Sequence, residues 1–297
     1  MTTLQPARIL DGHRDTIRSM AFSDNGLLLA TLSILNDKSL IVWDAITWTV
    51  QRRFYGGPGT TEIYFSPDNE TVIGTGVNRE IRFWNINTGE ERVISAVAPN
   101  GRIRFDSKGN VLLFVCINFI LETYNLSQSE APRIVIVPES SSIFLNQCGW
   151  INPDGTKLGV ENKDHSILVW SINEKRAVEN YFGLSDSIID LHFLTSHSQI
   201  MGMDDVGQIS IWAEGHTQPI LSFISSLSDP RNLIPNSGAP MVAVVGSEDV
   251  VEIWSSETKK NIATLPGNGA QITGAFSPDG GVLATGGDDS LIRIWTL

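Results

Sequence analysis

The chain is short of positive charge. Its 297 residues hold 21 lysines and arginines against 33 aspartates and glutamates, a formal net charge of −12 at pH 7. A nucleic-acid surface needs Lys and Arg to displace the counterions of the phosphates, so that class of partner is excluded. Docking on an anionic membrane is disfavoured for the same reason. Cysteine is scarcer still, with only Cys116 and Cys148. Two thiols in different parts of the chain build no disulfide framework and suit a reduced, cytoplasmic setting. No apolar run approaches the ~20 residues of a bilayer-spanning helix. The residues after Met1, Thr2-Thr3-Leu4-Gln5-Pro6, are no export signal. Enzyme motifs are missing as well. There is no glycine-rich phosphate loop opening a helix, no paired Cys-x-x-Cys and no His-Glu-x-x-His, and the five histidines lack metal-ligand spacing. No cofactor is expected. No window sustains a 3.6-residue period, so almost no helix is expected either.

What the chain does have is a period. An aromatic residue ends a short apolar strand pattern at Trp43, Trp84, Tyr124, Trp170, Trp212, Trp254 and Trp295, at steps of 41, 40, 46, 42, 42 and 41. A repeat of 40–45 residues is the length of one four-stranded propeller blade, so seven aromatics predict seven blades. A second landmark precedes them. Pro67, Pro153 and Pro278 each lie 17 positions before a tryptophan, in Ser66-Pro67-Asp68-Asn69, Asn152-Pro153-Asp154-Gly155 and Ser277-Pro278-Asp279-Gly280. Pro presets φ, Asp bonds to nearby backbone and Gly accepts φ > 0, so these are turns. Blade one has Ser23-Asp24-Asn25-Gly26 two residues further from its tryptophan, which predicts an insertion near Ile34 and Leu35. The fold class predicted is all-β: one seven-bladed propeller of four-stranded antiparallel blades over residues 1–297.

The repeats resemble those of the WD-repeat family of β-propellers, whose signature is Gly-His opening a repeat and Trp-Asp closing its third strand. The first repeat carries both pairs, Gly12-His13 and Trp43-Asp44; the later closing pairs have drifted to Trp-Asn, Tyr-Asn, Trp-Ser, Trp-Ala and Trp-Thr. The sequence ends at Leu297, two residues after Trp295, and offers a spare strand at about residues 7–10. The resemblance implies that this N-terminal strand completes blade seven and closes the ring, which otherwise leaves an open strand edge.

The resemblance also implies a buried hydrogen-bonded chain of His, Ser or Thr, Asp and Trp in each well-kept repeat. His13, Asp37 and Trp43 fit it, with Thr31 or Ser33 to supply the hydroxyl and Ser33 as the expected member. Asp164 and Asp289 likewise stand six residues before Trp170 and Trp295. A Ser/His/Asp set invites a hydrolase reading. The structural reading is stronger, because such groups satisfy one another inside a blade. Blades two, five and six lack the set and are expected to be held by strand pairing and packing alone.

Function must come from the surface, since a propeller hosts many activities. The turns joining strands b to c and blade to blade share one face. Acidic pairs stand there, at Asp204-Asp205, Glu248-Asp249 and Asp288-Asp289, and apolar residues replace polar ones at Ile117, Phe119, Ile143, Phe144 and Phe182. An apolar centre with a charged rim is the anatomy of an interface. The reading is a non-enzymatic scaffold, monomeric by itself, that binds a protein or peptide of basic character. The residues expected to carry it are Ile117, Phe119, Ile143, Phe144, Phe182, Asp204 and Asp205. The alternatives are a propeller enzyme or metal-binding propeller with a site at the channel mouth, and a sensor module of a signalling complex.

Overall fold

The computed structural model describes residues 4–95, 102–105, 111–115, 120–124, 133–136, 149–194, 199–267, 269 and 271–297. Among the described residues there is no helix, and the strands form seven four-stranded antiparallel sheets. The fold is an all-β propeller. Blade one is Ile17–Phe22, Leu28–Ser33, Ser39–Asp44 and Val50–Tyr55; blade two is Thr60–Phe65, Thr71–Gly76, Glu80–Asn85 and Glu91–Ser95. Blade three is Arg102–Phe105, Val111–Val115, Ile120–Tyr124 and Arg133–Ile136; blade four is Trp150–Ile151, Lys157–Glu161, Ile167–Ser171 and Arg176–Tyr181. Blade five is Ile188–Leu194, Gln199–Asp204, Gln208–Ala213 and Leu221–Ile224; blade six is Pro230–Pro235, Met241–Gly246, Val250–Ser255 and Lys260–Pro266. Blade seven is Gln271–Phe276, Val282–Gly287 and Ile292–Thr296, and its fourth strand is Arg8–Leu10 from the other end of the chain. Strands are called a to d within each blade.

The chain divides into two compact units. Residues 1–97 with 225–297 hold blades one, two, six and seven, and residues 98–224 hold blades three, four and five. In the first unit, Leu10 of the N-terminal strand packs with Ile292 and Ile294 of blade seven and with Ile17, Leu29 and Trp43 of blade one. Arg8, Ile9 and Leu10 pair with Ile294, Arg293 and Ile292, and the Ala7 amide donates to the Ile294 carbonyl at 2.7 Å. In the second unit, Trp150, Val169 and Tyr181 of blade four pack with Ile188, Leu191 and Trp212 of blade five.

The turn landmarks have a common chemistry. The buried residue before each proline closes the a–b turn with its side chain. Ser66 Oγ accepts from the Thr71 amide at 3.0 Å, Ser277 Oγ from Val282 at 3.0 Å and Asn152 Oδ1 from Lys157 at 2.7 Å. Ser23 does the same for Leu28 at 2.9 Å without a proline. The residue after the aromatic caps the c–d turn. Asp44 Oδ1 accepts from the Thr47 amide, Asn85 Oδ1 from Thr88, Ser171 Oγ from Glu174 and Ser255 Oγ from Thr258, at 2.7–3.2 Å. Asp, Asn and Ser therefore interchange there because each presents an acceptor oxygen. The two extra residues of blade one lie in its b–c turn, residues 34–38, where Asp15 Oδ2 accepts from the Asn36 amide at 3.1 Å and Asn36 Nδ2 at 2.9 Å.

Candidate functional site

The buried network of blade one runs from an indole to a carboxylate. Trp43 Nε1 donates to Thr31 Oγ1 at 2.9 Å, and Thr31 Oγ1 lies 2.7 Å from His13 Nε2. His13 Nδ1 lies 2.8 Å from Ser39 Oγ and 3.1 Å from Asp37 Oδ2, and Ser39 Oγ donates to Asp37 at 2.7 Å. An ionised carboxylate only accepts, so His13 carries a proton on Nδ1. With the imidazole neutral, as its burial favours, Nε2 takes the Thr31 proton. Burial pulls the His13 pKa below the ordinary imidazole value, against the opposing pull of Asp37. Burial would raise Asp37, but hydrogen bonds from Ser39, the Arg14 amide and His13 outweigh it and hold the carboxyl below its ordinary value.

The hydroxyl in this chain belongs to Thr31, not Ser33. Ser33 Oγ donates instead to the Asp15 carbonyl at 3.0 Å. Thr31 and Ser33 share a face of strand b, and the extra residues lie after both of them, in the turn. Thr31 consequently pairs with Ile41, as Thr285 pairs with Arg293 in blade seven.

The other tryptophans solve the same problem differently. In blade seven Trp295 Nε1 donates to Thr285 Oγ1 at 2.9 Å, while Asp289 Oδ2 takes a separate contact from the buried Arg293 guanidinium. Asp289 and Trp295 thus take different partners, Arg293 and Thr285. In blades two and five the position of Thr31 is glycine, Gly74 and Gly202. With no hydroxyl beside it, Trp84 Nε1 donates to the Tyr55 carbonyl at 3.1 Å and Trp212 Nε1 to the Phe182 carbonyl at 2.8 Å. In blade six the position is Val244, and the buried Glu252, across the ladder from it, accepts from Trp254 Nε1 and from Ser225 Oγ, both at 2.7 Å. Blades two, five and six are thus held by indole hydrogen bonds as well as by pairing and packing. In blade four Asp164 is exposed and accepts from Ser166 Oγ at 2.6 Å and the Ser166 amide at 3.1 Å, capping a turn. Trp170 is half-buried. The aspartate six residues before a tryptophan does not by itself mark a network; the residue at the level of Thr31 decides which partner the indole takes.

Histidine linkage gives a testable pH dependence. The folded His13 pKa lies below its unfolded value of about 6.5, so below that pH the unfolded chain binds a proton that the folded one does not. Stability is full above pH ~6.5 and falls as pH drops through it; the Asp37 contribution is lost only at lower pH, through that group's depressed pKa. Denaturant unfolding of the wild type is expected to weaken from pH 7.5 to pH 5.5 more steeply than that of His13→Gln. Equal slopes in the two proteins would remove the assignment of a neutral, buried imidazole.

Of the residues expected to form an interaction face, those the structure describes lie in the second unit, at the b–c and blade-to-blade turns of blades four and five. Ile117, Phe119, Ile143 and Phe144 lie outside the described residues. Phe182 is 36% exposed. Its amide donates to the Thr217 carbonyl at 2.8 Å, and its own carbonyl holds Trp212. Gly183 then turns the chain at φ 117°, a conformation a side chain rarely permits, with Pro219 where a Cβ would sit. The acidic pair divides. Asp204 is fully buried (0%) and accepts from the Ser185 amide and Ser185 Oγ, both at 3.0 Å, and from the Gln208 amide at 2.8 Å. It pins the turn and is withdrawn from any partner, which corrects its placement among the contact residues. Asp205 is exposed beside Val206, which is 56% exposed. Glu248 and Asp289 are internal members of the other two pairs: Glu248 Oε1 accepts from Ser228 Oγ at 2.6 Å and the Asp229 amide at 3.1 Å, and Asp289 from Arg293.

Sequence reasoning missed other charged residues that stand near Asp205. Glu161 is buried, with His165 Nδ1 at 2.9 Å and the Ile188 amide at 3.1 Å on its Oε1. Burial pushes its carboxyl up, and the Asp186 charge adds to that. The Asp205 carboxyl is also raised, by desolvation and then by Asp186 and Asp204, with His165 opposing. Glu161 and Asp205 thus share two charged neighbours, Asp186 and His165. Lys163 stands on the blade-four turn, but residues 177–224 contain no lysine or arginine and six acidic residues, Glu179, Asp186, Asp190, Asp204, Asp205 and Glu214. That run of missing cations was visible in the sequence. Among the described residues no three His, Cys, Asp or Glu side chains converge as metal ligands.

Comparison with known proteins agrees with the repeats. The model of the WD domain, G-beta repeat, matches residues 4–44 and 259–296. Among the described residues, these are the two repeats whose indole bonds to a threonine hydroxyl. The chain is 24% identical to Protein tipD of Dictyostelium discoideum over 96% of its own length and 40% of that protein. It is 23% identical to Transcriptional corepressor LEUNIG_HOMOLOG of Arabidopsis thaliana, over 99% of this chain and 32% of that one. It is 24% identical to the WD repeat-containing protein 26 homolog of Arabidopsis thaliana, over 99% of this chain and 50% of the other. The chain therefore spans between a third and a half of the length of these relatives.

Proposed function

The chain belongs to the WD-repeat family, and on that premise we propose that it is a non-enzymatic scaffold whose blade-four and blade-five turns hold a basic segment of a partner protein. The observation that carries this reading is the exposure of Asp205, Val206 and Phe182 in a stretch, residues 177–224, that has six acidic residues and no lysine or arginine. An exposed carboxylate normally loses its proton freely in water; that of Asp205 is raised by desolvation and by the acidic neighbours Asp186 and Asp204. A partner lysine or arginine placed there relieves that repulsion, which an anionic partner would worsen. Val206, the neighbour of Asp205 in the chain, and Phe182, on the turn between the two blades, supply exposed apolar area. Apolar contact supplies most of the binding energy and the acidic rim sets association rate and partner choice. The WD-repeat relatives support a protein partner in general.

A photo-crosslinking amino acid at position 206 in cells, followed by identification of the captured segment, tests the reading. We expect a captured segment rich in Lys or Arg. We also expect Asp186→Asn with Asp205→Asn to weaken its affinity about tenfold at low salt and less at high salt. Full binding by the double variant, or a captured segment with no basic residues, would overturn the proposal.

A further inference from the structure

A cavity of about 300 Å³ lies between blades four and five, lined from their a–b and c–d turns and by Tyr181 of strand d. Its lining includes Tyr181, Phe193, Lys157, Glu179, Glu214 and Asp154. Tyr181 is buried and Phe193 partly buried, so the floor is aromatic. Among the described residues one cation sits on the wall, and it is already paired: Lys157 Nζ lies 2.6 Å from Glu179 Oε1 and 3.6 Å from Glu214 Oε1. Burial alone would lower the Lys157 pKa, but Glu179 and then Glu214 outweigh it and hold it above the ordinary lysine value. Glu179 is also fully used, since its second oxygen accepts from the Tyr181 hydroxyl. Burial and then Glu179 push the Tyr181 phenol above its ordinary value, so it stays a neutral donor.

Glu214 is different. Its side chain is 59% exposed, and the long contact to Lys157 engages one oxygen. Asp154, also exposed, is held at its Oδ1 by Thr156 at 2.5 and 2.9 Å. Among the described lining residues, three carboxylates and one ammonium leave a formal charge of −2, which repels an anion. The volume is at the small end for ligand sites, room for one side chain rather than a cofactor. A guanidinium is planar and weakly hydrated, stacks on aromatic rings and pairs with carboxylate through a fork of N–H donors.

We propose that this cavity receives an arginine side chain of a peptide partner, its guanidinium paired with Glu214 over the Tyr181 and Phe193 rings. The site is separate from the turn face proposed above, and a protein segment engaging both would be held at two points.

The test uses N-acetyl-arginine methylamide as the probe, with its citrulline analogue, followed by ligand-observed NMR and by titration of the folded chain. A ligand of this size is expected to bind in roughly the millimolar range. Citrulline in place of arginine should weaken binding at least tenfold, and Glu214→Gln at least fivefold, with unchanged thermal unfolding. Asp205→Asn should leave the affinity unaltered, which separates this site from the turn face. Absence of binding at about twenty times that concentration, equal binding of the citrulline analogue, unchanged affinity in Glu214→Gln, or competition by inorganic phosphate would each overturn the proposal.

Discussion

Removal of residues 1–11 is expected to lower the unfolding free energy by about 4–6 kcal/mol. The N-terminal strand is the fourth strand of blade seven, and without it the Ile292–Thr296 strand presents an open edge. Leu10 is buried among Ile292, Ile294, Ile17 and Trp43, so its loss uncovers side chains of two blades at once. Single substitutions divide the effect. Leu10→Ala should cost about 2–4 kcal/mol. Ile9→Ala, on the exposed side of the same strand, should cost less than about 0.5 kcal/mol. Denaturant unfolding measures all three. If Leu10→Ala and Ile9→Ala were equally mild, or the truncated chain unfolded as the whole one does, the strand would be an ornament and not a part of the blade.

Thr31→Val is expected to cost about 2–4 kcal/mol although it changes shape very little. One hydroxyl serves two buried groups, accepting from the Trp43 indole and donating to His13 Nε2. Valine leaves both without a partner in a place water does not reach. Ser33→Ala removes only a bond to the Asp15 carbonyl and should cost about 1 kcal/mol. The order of the two costs separates the arrangement seen from the one the sequence suggested. A reversed order, with Ser33→Ala the more damaging, would return Ser33 to the network. In blade seven Thr285→Val should cost less than Thr31→Val, because there the hydroxyl holds Trp295 and Arg293 is engaged by Asp289.

The two sites were legible to different degrees. His13, Asp37 and Trp43 could be named from spacing, because an opening His and a closing Trp sit at fixed distances in a repeat. The hydroxyl could not be assigned by counting back from Trp43, since Thr31 and Ser33 point to the same side and the insertion shifts the count. The signal was available from the other end: Thr285 stands ten residues before Trp295 in a blade with no insertion. The substitutes in blades two, five and six carry no motif. Tyr55 and Phe182 contribute backbone carbonyls, which any residue has, and Glu252 reads in sequence as an ordinary polar residue alternating along a strand. On the proposed interaction face, Asp204 and Asp205 are adjacent and chemically identical. Ser185, from the turn before, buries one and leaves the other to solvent.

The sequence by itself determined the number of blades, the strands within them and the turns between them. These depend on local preferences: β-branched and aromatic runs for pleated strands, and Ser, Asn, Asp, Pro and Gly for turns whose hydrogen bonds close within five residues. The tertiary structure decided which polar groups are inside, what each indole bonds to and where negative charge accumulates. Those outcomes depend on residues far apart in sequence, because a buried donor must find a partner wherever the fold brings one. A carboxylate, likewise, is raised or lowered by the charges and donors that the fold places around it.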